Sequence, residues 1–171
     1  MKAIQFYQNS SDSGSAREVE LSTPVPTGHD ILVKVEAIGL NPVDTKVRPK
    51  ENEAPKTLGF DAAGIVADCG ENVTLFKKGD AVYYAGDVTR PGSNAEYQLV
   101  DERIVAQQPA TLDAVTSAAI PLTALTAWES LFHRLKIDPD SPQRNQEKHS
   151  LSSVAPVESV RWRFNWQNAR A

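Results

Sequence analysis

Asn41 stands between Leu40 and Pro42, and Asp44 follows three residues later. A side-chain amide donates through its NH2 and accepts at its oxygen, so Asn41 has the chemistry to bind a carbonyl or a ribose hydroxyl. Asparagine before proline is equally a good turn former, and both readings stand. Asp44 reads as its acidic companion or as a solvated carboxylate at a helix start. Thr126 offers a hydroxyl within Leu122-Thr123-Ala124-Leu125-Thr126-Ala127, against the alternative of an ordinary helix-surface threonine; Thr123 is the poorer candidate. Tyr84 is a proton donor or, as is usual for a strand tyrosine, a packing residue. Asp61 reads as ordering a loop rather than doing chemistry. His29 and His133 read as a loop and a helix histidine. Cys69, the single cysteine, excludes a disulfide or a cysteine zinc cluster within the chain and reads as a small buried residue. No metal site is expected.

Composition limits what such residues can serve. The chain has 171 residues, 40% hydrophobic and 23% charged, with a formal net charge of -4. That is enough for a domain with its own core, and it argues against a general nucleic-acid binder. No apolar run approaches the roughly 20 residues needed to span a bilayer. The start, Met1 to Phe6, lacks a signal-like apolar region. The expectation is a cytoplasmic protein with neither nucleic acid nor membrane as partner.

The candidate residues must be held by short strands and turns. Ile31 to Ile38 alternates as a half-buried strand. Gly39-Leu40-Asn41-Pro42 breaks it, and Val43 to Arg48 predicts a short helical turn before a charged loop. Gly64 to Gly70, Asp80 to Tyr84, and Asn94 to Val100 running into Arg103 to Ala106 predict further strands. Short strands between Gly/Pro turns point to a small barrel-like β domain. Helices are expected over Leu112 to Ala119, stopped near Pro121, and over Thr123 to Leu135. A polar linker follows at Asp138 to Gln143, and Ser150 to Ala171 has no clean period.

Four segments in order carry a resemblance. Gly39-Leu40-Asn41-Pro42-Val43-Asp44, Leu58-Gly59-Phe60-Asp61-Ala62-Ala63-Gly64, Phe76-Lys77-Lys78-Gly79-Asp80-Ala81-Val82 and Ala118 to Ala127 resemble the quinone-reductase-like branch of the medium-chain dehydrogenases/reductases, whose members are often named after the zinc alcohol dehydrogenases. The resemblance covers the chain to about residue 146. It implies a mainly β fold with helices, a GroES-like partly open β-barrel at 1–124, a bridging helix and linker at 125–146, and a Rossmann domain beyond. It also implies that Asn41 lies by the nicotinamide and substrate, with Asp44 beside it, and that Thr126 lies against the nicotinamide. Zinc relatives carry a cysteine where Asn41 stands and a histidine where Phe60 stands. An amide and a phenyl are not credible zinc ligands, so the resemblance is to the zinc-free branch.

The dinucleotide site departs from the pattern. The family needs a Gly-rich turn at a helix N-terminus so that backbone can approach the pyrophosphate, yet no glycine follows Gly92. Loss of one base near codon 147 accounts for this. Val154, Ala155, Val157, Glu158 and Val160 all have codons beginning with G, and shifting the frame restores Gly-Gly-x-Gly-Gly-x-Gly at their spacing. Residues 147–171 are therefore expected to be an out-of-frame tail, with the Rossmann domain missing or abortive. For an intact member the resemblance implies an NADPH-dependent oxidoreductase acting on an enone, quinone or related carbonyl, and a homodimer. For the chain as written it implies little or no activity. The alternative is a non-catalytic GroES-like binding module.

Overall fold

The structure is a computed structural model that describes residues 1–7, 16–50 and 53–138. The expected linker beyond Asp138 and the out-of-frame tail at 147–171 lie outside the described residues. The chain divides into two compact units, Met1–Ala124 and Leu125–Ala171.

The first unit is mainly β. Strands β1 (Lys2–Phe6), β2 (Ala16–Glu20) and β4 (Lys56–Thr57) form an antiparallel sheet in the order β2-β1-β4. Strands β3 (Asp30–Gly39), β5 (Asp61–Cys69), β6 (Ala81–Ala85), β7 (Tyr97–Asp101) and β8 (Val105–Gln107) form a second, ordered β7-β3-β5-β6-β8. Two small sheets with few helices are the architecture of a GroES-like partly open barrel.

Alternation explains the core. Ile31 and Val33 on β3, Ala62 and Val66 on β5, Val82 and Tyr84 on β6 and Val100 on β7 bury one face together. On the opposite face of β3, Lys34 and Glu36 stay exposed. Register is pinned where one face is buried, because a one-residue slip would turn the whole apolar set to water. β5 therefore begins at Asp61, paired with Gly39, rather than at Gly64 as the sequence pattern predicts. Ala62 and Ala63 have little hydrophobic signal of their own, but they are fully buried between β3 and β6.

Three short helices accompany the sheets, one between β3 and β4 and the other two after β8. α1 (Pro42–Lys46) occupies the expected helical turn, and α2 (Ala114–Ala118) is capped by Asp113, whose carboxylate accepts from the Thr116 amide at 2.7 Å. α2 stops short of Pro121 as expected, and Pro121 also opens α3 (Pro121–Trp128), where its missing N–H costs nothing. The helix expected to run to Leu135 continues from α3 as a π-helical segment, Glu129–Arg134, with Trp128 and Phe132 ring centroids 4.4 Å apart.

Gly39 sets how closely α2 approaches the main sheet. A Cβ there would lie 2.4 Å from the Ala118 carbonyl oxygen and 3.0 Å from the Asp61 Cβ. Backbone cannot yield as a side-chain tip does, so Gly39→Ala is expected to cost about 1–3 kcal/mol, the usual range for overpacking. The urea midpoint of the variant measures this; an unchanged midpoint would show that α2 docks loosely.

Candidate active site

The end of β3, the start of β5 and the start of α3 bring a few polar groups together. Asn41 is extended (φ -130, ψ 155), as the residue before a proline prefers. Pro42 opens α1, and Asp44 reaches back so that its Oδ2 accepts from the Asn41 backbone N–H at 2.6 Å. With its own amide nitrogen held this way, Asn41 turns its side chain to β5. Its Nδ2 donates to Asp61 Oδ2 at 2.9 Å.

Asp61 is the hub. It is 1% exposed, and its Oδ1 accepts from the Leu122 backbone N–H at 3.0 Å. Leu122 lies in the first turn of α3, where N–H groups lack partners within the helix. Ser93 Oγ donates to the Asp61 main-chain oxygen at 3.3 Å. Burial pushes the Asp61 carboxyl up to about 6; hydrogen bonds from Asn41 and Leu122 pull it down by less, and the charge of Asp44 adds to the rise. The second carboxylate oxygen of Asp44, Oδ1, is buried with no hydrogen-bond partner among the described residues. The loop-ordering role expected of Asp61 is thus corrected in kind: it is a strand residue that ties three elements.

The other sequence candidates fall elsewhere. Tyr84 is 2% exposed and its hydroxyl donates to Gln98 Oε1 at 2.9 Å, while Gln98 Nε2 donates to the Pro91 oxygen at 3.2 Å. Burial pushes its phenol far above the ordinary tyrosine value, so it packs and does not donate protons to a ligand. Thr123 Oγ1 donates to the Ile120 carbonyl at 2.9 Å. Thr126 belongs to the second unit, is exposed, and its carbonyl accepts from Ser130 Oγ at 2.7 Å. Cys69 is half-buried rather than fully buried, and burial raises its thiol. His29 Nδ1 lies 2.8 Å from Oε1 of the buried Glu102, whose Oε2 accepts from the Thr74 and Leu75 amides at 2.9 and 2.7 Å. His29, followed by those amides, holds the Glu102 carboxyl below its ordinary value, and the cluster joins three loops rather than facing a ligand.

Sequence reasoning singled out Asn41 and Asp44 but not their link to Asp61. Nothing periodic connects residues so far apart; the Gly39–Asp61 register does. The available signal was an aspartate opening the small-residue run Ala62-Ala63-Gly64, where its carboxylate had to be buried.

Residues 27–110 match the alcohol dehydrogenase GroES-like domain. The chain is similar to a zinc-type alcohol dehydrogenase-like protein of Staphylococcus epidermidis, 43% identical over 154 residues, covering 88% of this chain and 46% of that one. It is also similar to the quinone oxidoreductase of Lama guanicoe, 36% identical, covering 78% of this chain and 41% of the relative. The chain belongs to the medium-chain dehydrogenase/reductase superfamily. The chain is also similar to the solved Escherichia coli quinone oxidoreductase complexed with NADPH, 29% identical with a TM-score of 0.69, covering 82% of this chain and 43% of that one. It spans less than half the length of the curated relatives it matches. Its described residues include no helix long and apolar enough to cross a membrane.

Proposed function

We propose that residues 1–124 form the substrate-side domain of an oxidoreductase that moves hydride from NADPH to an enone, quinone or related carbonyl. The observation that carries this is the Asn41–Asp61–Leu122 chain of hydrogen bonds, in which a half-buried amide is fixed by a buried carboxylate. A relative named a quinone oxidoreductase, and a solved one bound to NADPH, support the cofactor and substrate class. When bound, NADPH supplies the hydride; the protein orients it and excludes water. In this reading Asn41 contacts the nicotinamide end of the cofactor and the substrate. Asp44 holds the Asn41 backbone in its extended conformation, and Thr126 contributes on the cofactor side.

Zinc does not fit this domain. The groups at the cluster are an amide, which is a poor zinc ligand, and two carboxylates engaged through Asp61 Oδ1 and Oδ2 and Asp44 Oδ2, and the neighbouring Phe60 offers no lone pair. Among the described residues no group of three or more His, Cys, Asp or Glu is placed to hold a metal ion.

A chimera tests the reading. Residues 1–138 would be joined in frame to the remainder of the Staphylococcus epidermidis relative, and quinone-dependent NADPH oxidation followed. Turnover is expected. Asn41→Ala should lower kcat/KM about tenfold, the kinetic equivalent of one lost hydrogen bond. A chimera that folds and binds NADPH but reduces neither quinones nor enones overturns the proposal in favour of a binding module without catalysis.

A further inference from the structure

Asp61 is shared by two donors from distant parts of the chain. Asn41, just after β3, donates through Nδ2 to Oδ2 at 2.9 Å. The Leu122 backbone N–H, in the first turn of α3, lies 3.0 Å from Oδ1 and 3.3 Å from Oδ2. Oδ2 is therefore within reach of both donors. The carboxylate has little freedom to favour one of them: it is buried, its strand is held in register against Gly39, and Ser93 Oγ donates to its main-chain oxygen. Hydrogen bonds to an ionised carboxylate favour the charged form, so each donor lowers the affinity of Asp61 for a proton. Removing one donor raises that affinity, and the other donor then meets a neutral carboxyl over a wider pH range.

We propose that Asp61 is a positioning residue that links Asn41 to the first turn of α3: the two donors act on one another through a single carboxylate and the proton it can bind. For the site, this rests on the reading that Asn41 contacts a ligand. A ligand that draws the Asn41 amide off Asp61 promotes proton uptake there and weakens the hold on Leu122. The influence is reciprocal, so a proton on Asp61 loosens Asn41 as well. Asp44 on α1 is the charged side chain that acts on Asp61. α2 and α3 carry no charged side chain, and β3 meets Asp61 with Gly39. The titratable groups of β6 are the hydroxyls of Tyr83 and Tyr84, the second of them bonded to Gln98.

The Leu122 amide reports on this link from a residue that Asn41 does not itself bond. The full chain, isotope-labelled at nitrogen, is titrated by NMR from about pH 4.5 to about pH 8. In the parent, the Leu122 N–H and the Asn41 side-chain NH2 should move with one shared midpoint near 6, because both donate to the same group. Asp61→Asn should remove that step from both signals. Asn41→Leu keeps the bulk of the side chain and deletes its donor. It should carry the Leu122 midpoint up by about one pH unit, a tenfold rise in proton affinity, as expected for one lost hydrogen bond to a charged group. Asp44→Asn keeps an acceptor for the Asn41 backbone N–H but removes the charge that acts on Asp61, so it should carry the midpoint down. It serves as the test if Asn41→Leu does not fold. Different midpoints for the two parental signals, no step in either, or a Leu122 step that survives Asp61→Asn overturns the link. So does a Leu122 midpoint that stays put in a folded Asn41→Leu, the result for an aspartate that merely fixes α3. The chimera's turnover is measured separately. No turnover with the link intact sinks the oxidoreductase reading alone, and turnover with a stationary Leu122 midpoint sinks the link alone.

Discussion

Asp61→Asn is expected to make the chain more stable than the parent above about pH 6.5 and to remove an increase in parental stability that develops as the pH is lowered. The carboxyl of Asp61 moves from an ordinary 3.8 to about 6 on folding, chiefly because burial penalises its charge. A group whose folded value is raised holds its proton in the folded state after the unfolded chain has released it. Its contribution is therefore complete below about 4 and is lost as the pH rises through about 6. A shift of that size would carry roughly 3 kcal/mol in full; partial solvent screening of the pair brings the expected amplitude to on the order of 2 kcal/mol. Other carboxylates, among them Glu102 and Asp113, are held below their ordinary values and act in the opposite direction at lower pH. The difference between parent and variant isolates Asp61 from these. Urea midpoints of both proteins from about pH 4 to pH 8 give that difference. Parallel curves would show that Asp61 is not desolvated on folding.

The same residue marks where sequence reading works and where it stops. Ile31 to Ile38 alternates, so β3 was legible almost to the residue, and the four ordered motifs carried the family. Asn41 was legible as a site candidate because its amide can bind a ligand and the whole Gly39 to Asp44 motif resembles the family's, while Pro42 beside it supports the turn reading. The Asn41–Asp61 pair was not, because its two members are joined by strand register, and register is decided by the buried alternation of β3 and β5 together. Pro121 was legible as the stop after α2 but not as the start of α3, for a local reason. A proline is compatible with either side of a helix boundary, and the choice falls to whether its flanks can pack; Pro121 is buried and Asp61 accepts from the next amide, which favours a helix start. Tyr84 was ambiguous because an alternating strand shows which residues face together, but not whether that face meets solvent.

Tyr84 is where the distinction between packing and chemistry has its largest energetic consequence. Tyr84→Ala is expected to cost about 3–5 kcal/mol, the range for deleting a buried aromatic side chain and leaving a cavity. The ring sits in the shared core of β3, β5, β6 and β7, in one buried cluster with Ile31, Val66, Val82 and Val100. Tyr84→Phe keeps that volume and removes only the hydroxyl. Gln98, 4% exposed, would then hold an oxygen without its donor, a loss of about 1–2 kcal/mol. Together the two variants separate ring from hydroxyl in a way a catalytic role would not mimic. A proton donor to a ligand would show a large effect of Tyr84→Phe on turnover of the chimera and a small one on stability. The buried geometry demands the reverse: a measurable drop in the urea midpoint, a several-fold larger drop for Tyr84→Ala, and turnover in Tyr84→Phe within about twofold of the parent, since a factor of two is under 0.5 kcal/mol. A turnover loss beyond tenfold in a folded Tyr84→Phe chimera would return the hydroxyl to the chemistry and place the ligand on the β6 side of the sheet.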